Sequence, residues 1–282
     1  MSIALYNDVC QNISKKLTKK YSTSFSLGIR MIDTKYRWAI YAVYGLVRVA
    51  DEIVDTFHDQ NKTKLLFEFR EQTYQAMDNK MSTNPILHAF QLAAHQFGID
   101  KALIDPFFES MAMDIDATKH TQISYENYIF GSAEVVGLMC LKVFCNNDQA
   151  LYTKLEPPAK SLGSAFQKVN FLRDIQSDFE ERGRTYFPGL NFEAITDKNK
   201  EDIIKDIEKD FDDAYKGIVA LPMNCRFGVY TAYQYYKRLL KALSHQPIAY
   251  IKLNRISVPN TEKVGLLLRS YFVFKSGVLK NA

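Results

Sequence analysis

The chain has 282 residues, 47% of them hydrophobic and 13% aromatic, which excludes a disordered protein and provides for a large core. Its formal charge of +4 is the balance of 36 basic and 32 acidic residues, too even for a nucleic-acid-binding surface but compatible with mild attraction to an anionic membrane. The cysteines Cys10, Cys140, Cys145 and Cys225 form no CxxC pair and no disulfide framework, which points to a reducing cytoplasm.

Gly and Pro are scarce, there are no repeats, and no stretch alternates as a strand does. Residues 3–20 read as an amphipathic helix with Lys15, Lys16, Lys19 and Lys20 outward, too polar for a signal peptide. Tyr21-Ser-Thr-Ser-Phe-Ser26 reads as a polar loop. Residues 34–57 form a strongly apolar helix, followed by amphipathic helices at 62–79 and 84–97, the latter opened by Asn84-Pro85. A helix over 100–116 has Asp100 as its cap. Ser124–Phe144 is one apolar helix rich in small residues, and 147–155 a short one. Pro157-Pro158 then opens the central helix, which nothing breaks between Gly163 and Glu181. Lys198–Ala220, Pro222–Ser244 and Glu262–Phe274 bring the expectation to about ten helices. No apolar run approaches the ~20 residues that span a bilayer. The terminal Lys280-Asn281-Ala282 reads as carrying no anchor, and no linker marks a boundary. The expected fold class is all-α, a single helical bundle over residues 1–282.

Two polar stripes stand out. Gln167, Asn170, Asp174 and Asp178 fall on one face of the central helix, and Arg48, Asp51, Glu52 and Asp55 on one face of the helix at 34–57. The second stripe is flanked by residues apolar enough to bury it. Two carboxylates ~4 Å apart repel by about 4 kcal/mol at an effective dielectric near 20. Arg48 and Arg173 alone supply too little positive charge for two such clusters. Magnesium would supply it, taking one or two carboxylates, several waters and phosphate oxygens. Arg182, Gly183, Arg184 and Tyr186 follow where the helix should end, and carboxylates succeeded by arginines suit a metal-bridged phosphate. The bland alternative is a solvated acidic face, and Glu201–Asp213 reads as one. The five histidines have no metal-ligand spacing and read as ordinary.

These segments resemble the squalene/phytoene synthase family over nearly the whole chain. Tyr21-Ser-Thr-Ser24-Phe25 resembles its N-terminal serine motif. Trp38 through Arg48, with Asp51-Glu-Ile-Val-Asp55, resembles its first aspartate motif. Gln167 through Asp178, with Arg182-Gly-Arg184-Thr-Tyr186-Phe-Pro188, resembles its second. Tyr128 through Gly137 resembles its tyrosine-rich helix, but Phe130 and Gly131 stand where tyrosine is expected and Glu134 where glycine is.

The resemblance implies an isoprenoid synthase bundle around a central prenyl-diphosphate cavity. It implies head-to-head prenyl transfer with roughly two or three magnesium ions, manganese as a substitute, and no NADPH. Asp51, Asp55, Asp174 and Asp178 would be catalytic and hold the metal, with Asn170 as a ligand or its orienter. Arg48, Arg173 and Arg184 would bind diphosphate oxygens and Gln167 the substrate. Ser22 and Ser24 would touch phosphate or merely cap a segment, Tyr186 would touch substrate or brace a loop, and Arg255 would bind diphosphate or lie at the surface. Glu52 would be a ligand or a support. Tyr128 is the first choice, and Tyr41 the second, for the tyrosine that approaches a carbocation, core packing being the alternative for both.

The implied reaction joins two C20 geranylgeranyl diphosphates through a cyclopropyl diphosphate to phytoene, in carotenoid biosynthesis. The alternative is C15 farnesyl coupling to dehydrosqualene or squalene. Gly45 and Gly163 on the site-facing stripes, with Ala133 and Gly137, would leave depth for the longer tail or would only let helices pack closely. A terpene cyclase is disfavoured by the second motif, and a non-catalytic scaffold would be expected to lose motif aspartates, all of which are present. The implied setting is cytoplasmic with peripheral contact at the inner membrane face.

Overall fold

Local capping chemistry sets the helix boundaries. In the computed structural model, which describes residues 2–116 and 119–277, the side chains of Ser2, Ser22, Asp33, Asn61 and Asn84 accept from the first turns of α1 (Ile3–Tyr21), α2 (Thr23–Arg30), α3 (Thr34–Asp55), α4 (Lys62–Asp78) and α5 (Pro85–Phe97). α6 (Lys101–Asp116) begins where Asp100 accepts from Ala102 N–H. α7 (Gln122–Ile129) runs through a π-turn at Phe130–Glu134 into α8 (Val135–Cys145). α9 (Gln149–Arg173) and α10 (Ile175–Glu180) follow, then α11 (Asp197–Ala220), α12 (Met223–Ser244), α13 (Ile248–Ile251) and α14 (Asn260–Lys275). The fold is all-α: among the described residues the sole β feature is an isolated bridge between Lys119 and Thr185. Lys280-Asn281-Ala282 lies outside the described residues.

Four local expectations are corrected. The segment expected as a loop at Tyr21–Ser26 is largely helix α2, because Ser22 caps it and Ser26, Gly28 and Ile29 find a buried face. The helix expected to begin at Pro157 begins at Gln149 and passes through both prolines. Their missing donors leave the carbonyls of Thr153 and Lys154, both exposed residues, without the usual helical bond. The 124–144 helix contains the π-turn. A Cβ on Gly131 would lie 2.1 Å from the Pro106 carbonyl, so the turn can tuck against α6 only at a glycine. The fourth correction is at Asp174, where φ −100° and ψ 13° interrupt the supposedly unbroken helix. Just beyond it the Asp174 carbonyl accepts both from Asp178 N–H at 2.9 Å and from Ser177 Oγ at 3.1 Å.

Two apolar cores form. One gathers α1 and α3–α6 with α8, and the other gathers α7, α9, α11 and α12. Between them lies a cavity of about 290 Å³, walled by α2, α3, the π-turn, α8, α9, α11 and α12. The joined stretch Gln122–Cys145 is, contrary to the sequence reading, long and apolar enough to cross a bilayer by length and composition alone; 56% of its most apolar window is buried inside the protein, as for a core helix.

Candidate active site

Three helices end at the same place. Asp51 and Asp55 occupy the last turn of α3, Asp114 the last turn of α6, and Asp174 the C-cap of α9, with Asp178 just beyond on α10. None of the last turns of α3 and α6 carries a basic residue. Helix C-termini are themselves partially negative, so carboxylates there oppose the local field and draw cations.

Arginines bridge the stripes. Arg182 reaches Asp55 on one side and Asp178 on the other, each at 3.3 Å. Arg184 donates to Asp55 at 2.8 Å, to the Asp114 carbonyl at 2.7 Å and to Tyr186 Oη at 3.4 Å. Arg48 pairs with Asp51 at 2.7 Å and also with Glu52, which accepts from Thr56 as well. Its guanidinium lies 4.3 Å over the Tyr21 ring, and its buried Nε has no partner among the described residues. Arg173 grips Asp174 with both arms, and Arg255 adds a 2.7 Å contact from the exposed loop before α14. The two stripes therefore meet, as expected, but more arginines than Arg48 and Arg173 balance them.

The balance is incomplete. Burial and the neighbouring Asp55 push Asp51 up to about 6, although 36% of its side chain still faces solvent in the cleft. Burial and Asp174 push Asp178 to about 7. Burial would raise Asp174 too, but Arg173 and Arg255 outweigh it and hold it below the usual carboxylate range. Carboxylates that retain protons near neutrality are short of cations. The donor set is hard oxygen, and no three acidic, histidine or cysteine side chains among the described residues already converge on one point. That fits magnesium, which keeps waters and shares phosphate oxygens, better than a metal caged by protein alone.

Asp114 escaped the sequence reading. It is buried, accepts from Tyr128 Oη at 2.6 Å and from Tyr186 Oη at 3.0 Å, and burial pushes it up to about 6. The signal was available: Ser110, Met111 and Asp114 share the buried face of α6, and a carboxylate there needs partners.

Several assigned roles change with the geometry. Tyr128 does not line the cavity; its hydroxyl is spent on Asp114 and its ring packs with Phe171 and Tyr186. Tyr41 is buried in the first core, and that burial pushes its hydroxyl up against the opposing pull of Arg37 and Arg30. Tyr44, one turn before Arg48, lines the cavity instead, stacked on Phe25 at 5.2 Å. Arg184 is 7% exposed and joins the motifs, its guanidinium held by Asp55 and the Asp114 carbonyl. Tyr186 braces, as one alternative had it. Ser22 is the α2 cap, accepting from Phe25 N–H at 3.2 Å, and Ser24 is half-buried beside it. Gly45 faces Ser14 and Ile86 rather than the cavity. Gly163 lines the cavity, but a Cβ there would sit 2.7 Å from the Ala133 carbonyl, so it serves a helix crossing. Ala133 and Gly137 do line the cavity, as do Gln167 and Asn170, and Tyr236 Oη donates to Asn170 at 3.4 Å. In the acidic run, Asp206 and Asp210 are not merely solvated: both hold the buried Lys168 of α9. His120, read as ordinary, stacks on Tyr186 beside the site.

Arginines join the two aspartate motifs, Gln167 and Asn170 of the second line an apolar cavity, and a profile of the squalene/phytoene synthase family matches residues 18–262. The chain belongs to the squalene/phytoene synthase family. Among its relatives in that family, a 15-cis-phytoene synthase of Enterobacter agglomerans is 28% identical over 273 residues, covering 88% of this chain and 90% of its own. A phytoene synthase of Arthrospira platensis is 27% identical over 282 residues, covering 89% of each. The crystal structure of a dehydrosqualene synthase in complex with ligand superposes with a TM-score of 0.82 at 23% identity, over 96% of this chain and 98% of that one, which shows the shared fold.

Proposed function

We propose that the chain condenses two geranylgeranyl diphosphates head to head, through a cyclopropyl diphosphate, to phytoene. The observation that carries the reading is that Arg182 joins both aspartate motifs beside a long apolar cavity, which Gln167 and Asn170 of the second motif help to line. Asp51, Asp55, Asp174 and Asp178, with Asn170 beside them, would hold magnesium. Bound magnesium neutralises the clustered carboxylates and stabilises the departing diphosphate. Arg48, with a free Nε, and Arg173 and Arg255, which need only exchange Asp174 for phosphate oxygens, would bind the diphosphates in bidentate fashion. Tyr44 and the stacked pair Phe166–Tyr236, 3.9 Å apart, line the cavity beside Gln167 and Asn170, and their free ring faces would be the ones to meet a cation. Such faces stabilise an allylic cation without reacting, by about 2 kcal/mol where desolvated. The apolar walls exclude the water that would quench it.

Depth supports the C20 substrate. From Asn170 down to Leu155 the cavity follows α9 for about 22 Å. Each isoprene unit adds roughly 5 Å, about one helical turn, so a C20 tail needs roughly 20 Å. Ala159 lies about 16 Å below Asn170, where only the fourth unit reaches. Ala159→Phe is therefore expected to shift the kcat/KM ratio from C20 toward C15 diphosphate by about ten-fold or more. Product analysis with both diphosphates tests the reading. Phytoene is expected, and C30 hydrocarbon alone would replace it with the dehydrosqualene alternative.

The pKa directions give a second expectation. Asp51 and Asp178 bind protons more tightly folded than unfolded, so the stability they contribute is full below pH ~4 and is lost as pH rises through about 6 and about 7. Magnesium with a non-hydrolysable prenyl diphosphate should therefore raise the melting temperature, and raise it more at pH 8 than at pH 5.5. Equal melting curves with and without both additions would leave the carboxylates a purely structural role.

A further inference from the structure

α14 is apolar on two sides. Its inner side packs on the second core through Leu266, Val273 and Phe274, and Phe227 of α12 lies 5.3 Å from Phe274. On the outer side Val264, Leu268, Tyr271 and Phe272 are 56, 55, 45 and 68% exposed. They stand at i, i+4, i+7 and i+8, one continuous stripe. Single exposed apolar residues need no account, but a contiguous stripe on a helix already apolar on its inner side asks for a cover.

The charges beside the stripe say what the cover is. At 100° per residue the stripe spans roughly 100° of arc, with the exposed Arg269 about 60° beyond it and the half-buried Lys263 about 80° before it, its ammonium resting 5.5 Å over the Tyr235 ring of α12. Lys275 stands at its end, 5.7 Å over the Tyr271 ring. The single acid of the helix, Glu262, is held by Arg238 at 2.8 Å. An apolar strip between cations is how a helix lies in a lipid interface, long basic side chains reaching up to the headgroups. A second copy of the chain fits less well, because pairing this face with itself would oppose the basic rims with no free carboxylate on the helix to meet them.

We infer that α14 docks the protein on an anionic lipid surface. α12 carries α14 on one side and lines the cavity on the other with Val229, Ala232 and Tyr236. Docking thus places the cavity about one helix spacing, ~10 Å, from lipid. The inference rests on the exposed stripe and not on the proposed reaction.

Flotation of the full chain with vesicles of phosphatidylcholine, alone or mixed with phosphatidylglycerol, tests it. The wild type should float with the anionic vesicles, less so in high salt. Leu268→Glu with Phe272→Glu should cut the bound fraction about ten-fold or more, two apolar anchors being lost. Lys263→Glu with Arg269→Glu should weaken binding to the anionic vesicles in particular. Circular dichroism should be unchanged in both double variants, whatever substrate the enzyme prefers. The inference is overturned if the wild type floats with neither vesicle, if the apolar double variant floats as well as wild type, or if the wild type is a dimer in solution that Leu268→Glu dissociates.

Discussion

Asp51→Asn is expected to lower turnover by about 10²–10³-fold, the loss typical when one preorganised partner of a developing charge is removed. The fold should survive. Arg48 keeps Glu52 as a partner, and the substitution removes a carboxylate that burial and Asp55 already push up to about 6. The metal-free melting temperature should stay level or rise, and its increase on adding magnesium with a non-hydrolysable prenyl diphosphate should shrink. Near-normal turnover at saturating magnesium would remove Asp51 from the proposed metal site.

Asp114→Ala should be the most damaging single change to stability. It removes the acceptor of two buried tyrosine hydroxyls and the nearby counter-charge of Arg184. Breaking a buried ionic network in this way costs about 3–5 kcal/mol, or roughly 10 °C in a chain of this size. Asp114→Asn keeps the shape and one acceptor, so its loss should be well under half as large. Thermal unfolding of the two variants decides the matter; equal and small losses would mean that Asp114 does not tie the motifs together.

Much of this was legible in the sequence, and the reason is periodicity. The stripes Arg48–Asp55 and Gln167–Asp178 are local patterns, so their faces could be read one helix at a time. What could not be read depends on contacts between helices. Arg182 and Arg184 lie far in sequence from Asp55 and Asp114, and only packing brings them together. Tyr41 and Tyr44 are both tyrosines of α3, within a turn of each other; which one meets the cavity is settled by where α2 and α9 lie. Gly45 shares the apparent site stripe, yet α1 and α5 claim its side of the helix. The bend at Asp174 lies between two segments that share one polar face, so no periodic pattern marks it.

A crystal structure with manganese, located by its anomalous signal, and a non-hydrolysable C20 thiodiphosphate is the most direct test of the site. The expected result is metal between Asp51–Asp55 and Asp174–Asp178, diphosphate oxygens on Arg48, Arg173 or Arg255, and a tail running past Ala159 toward Leu155. Metal bound elsewhere, or a diphosphate away from both aspartate motifs, would contradict it.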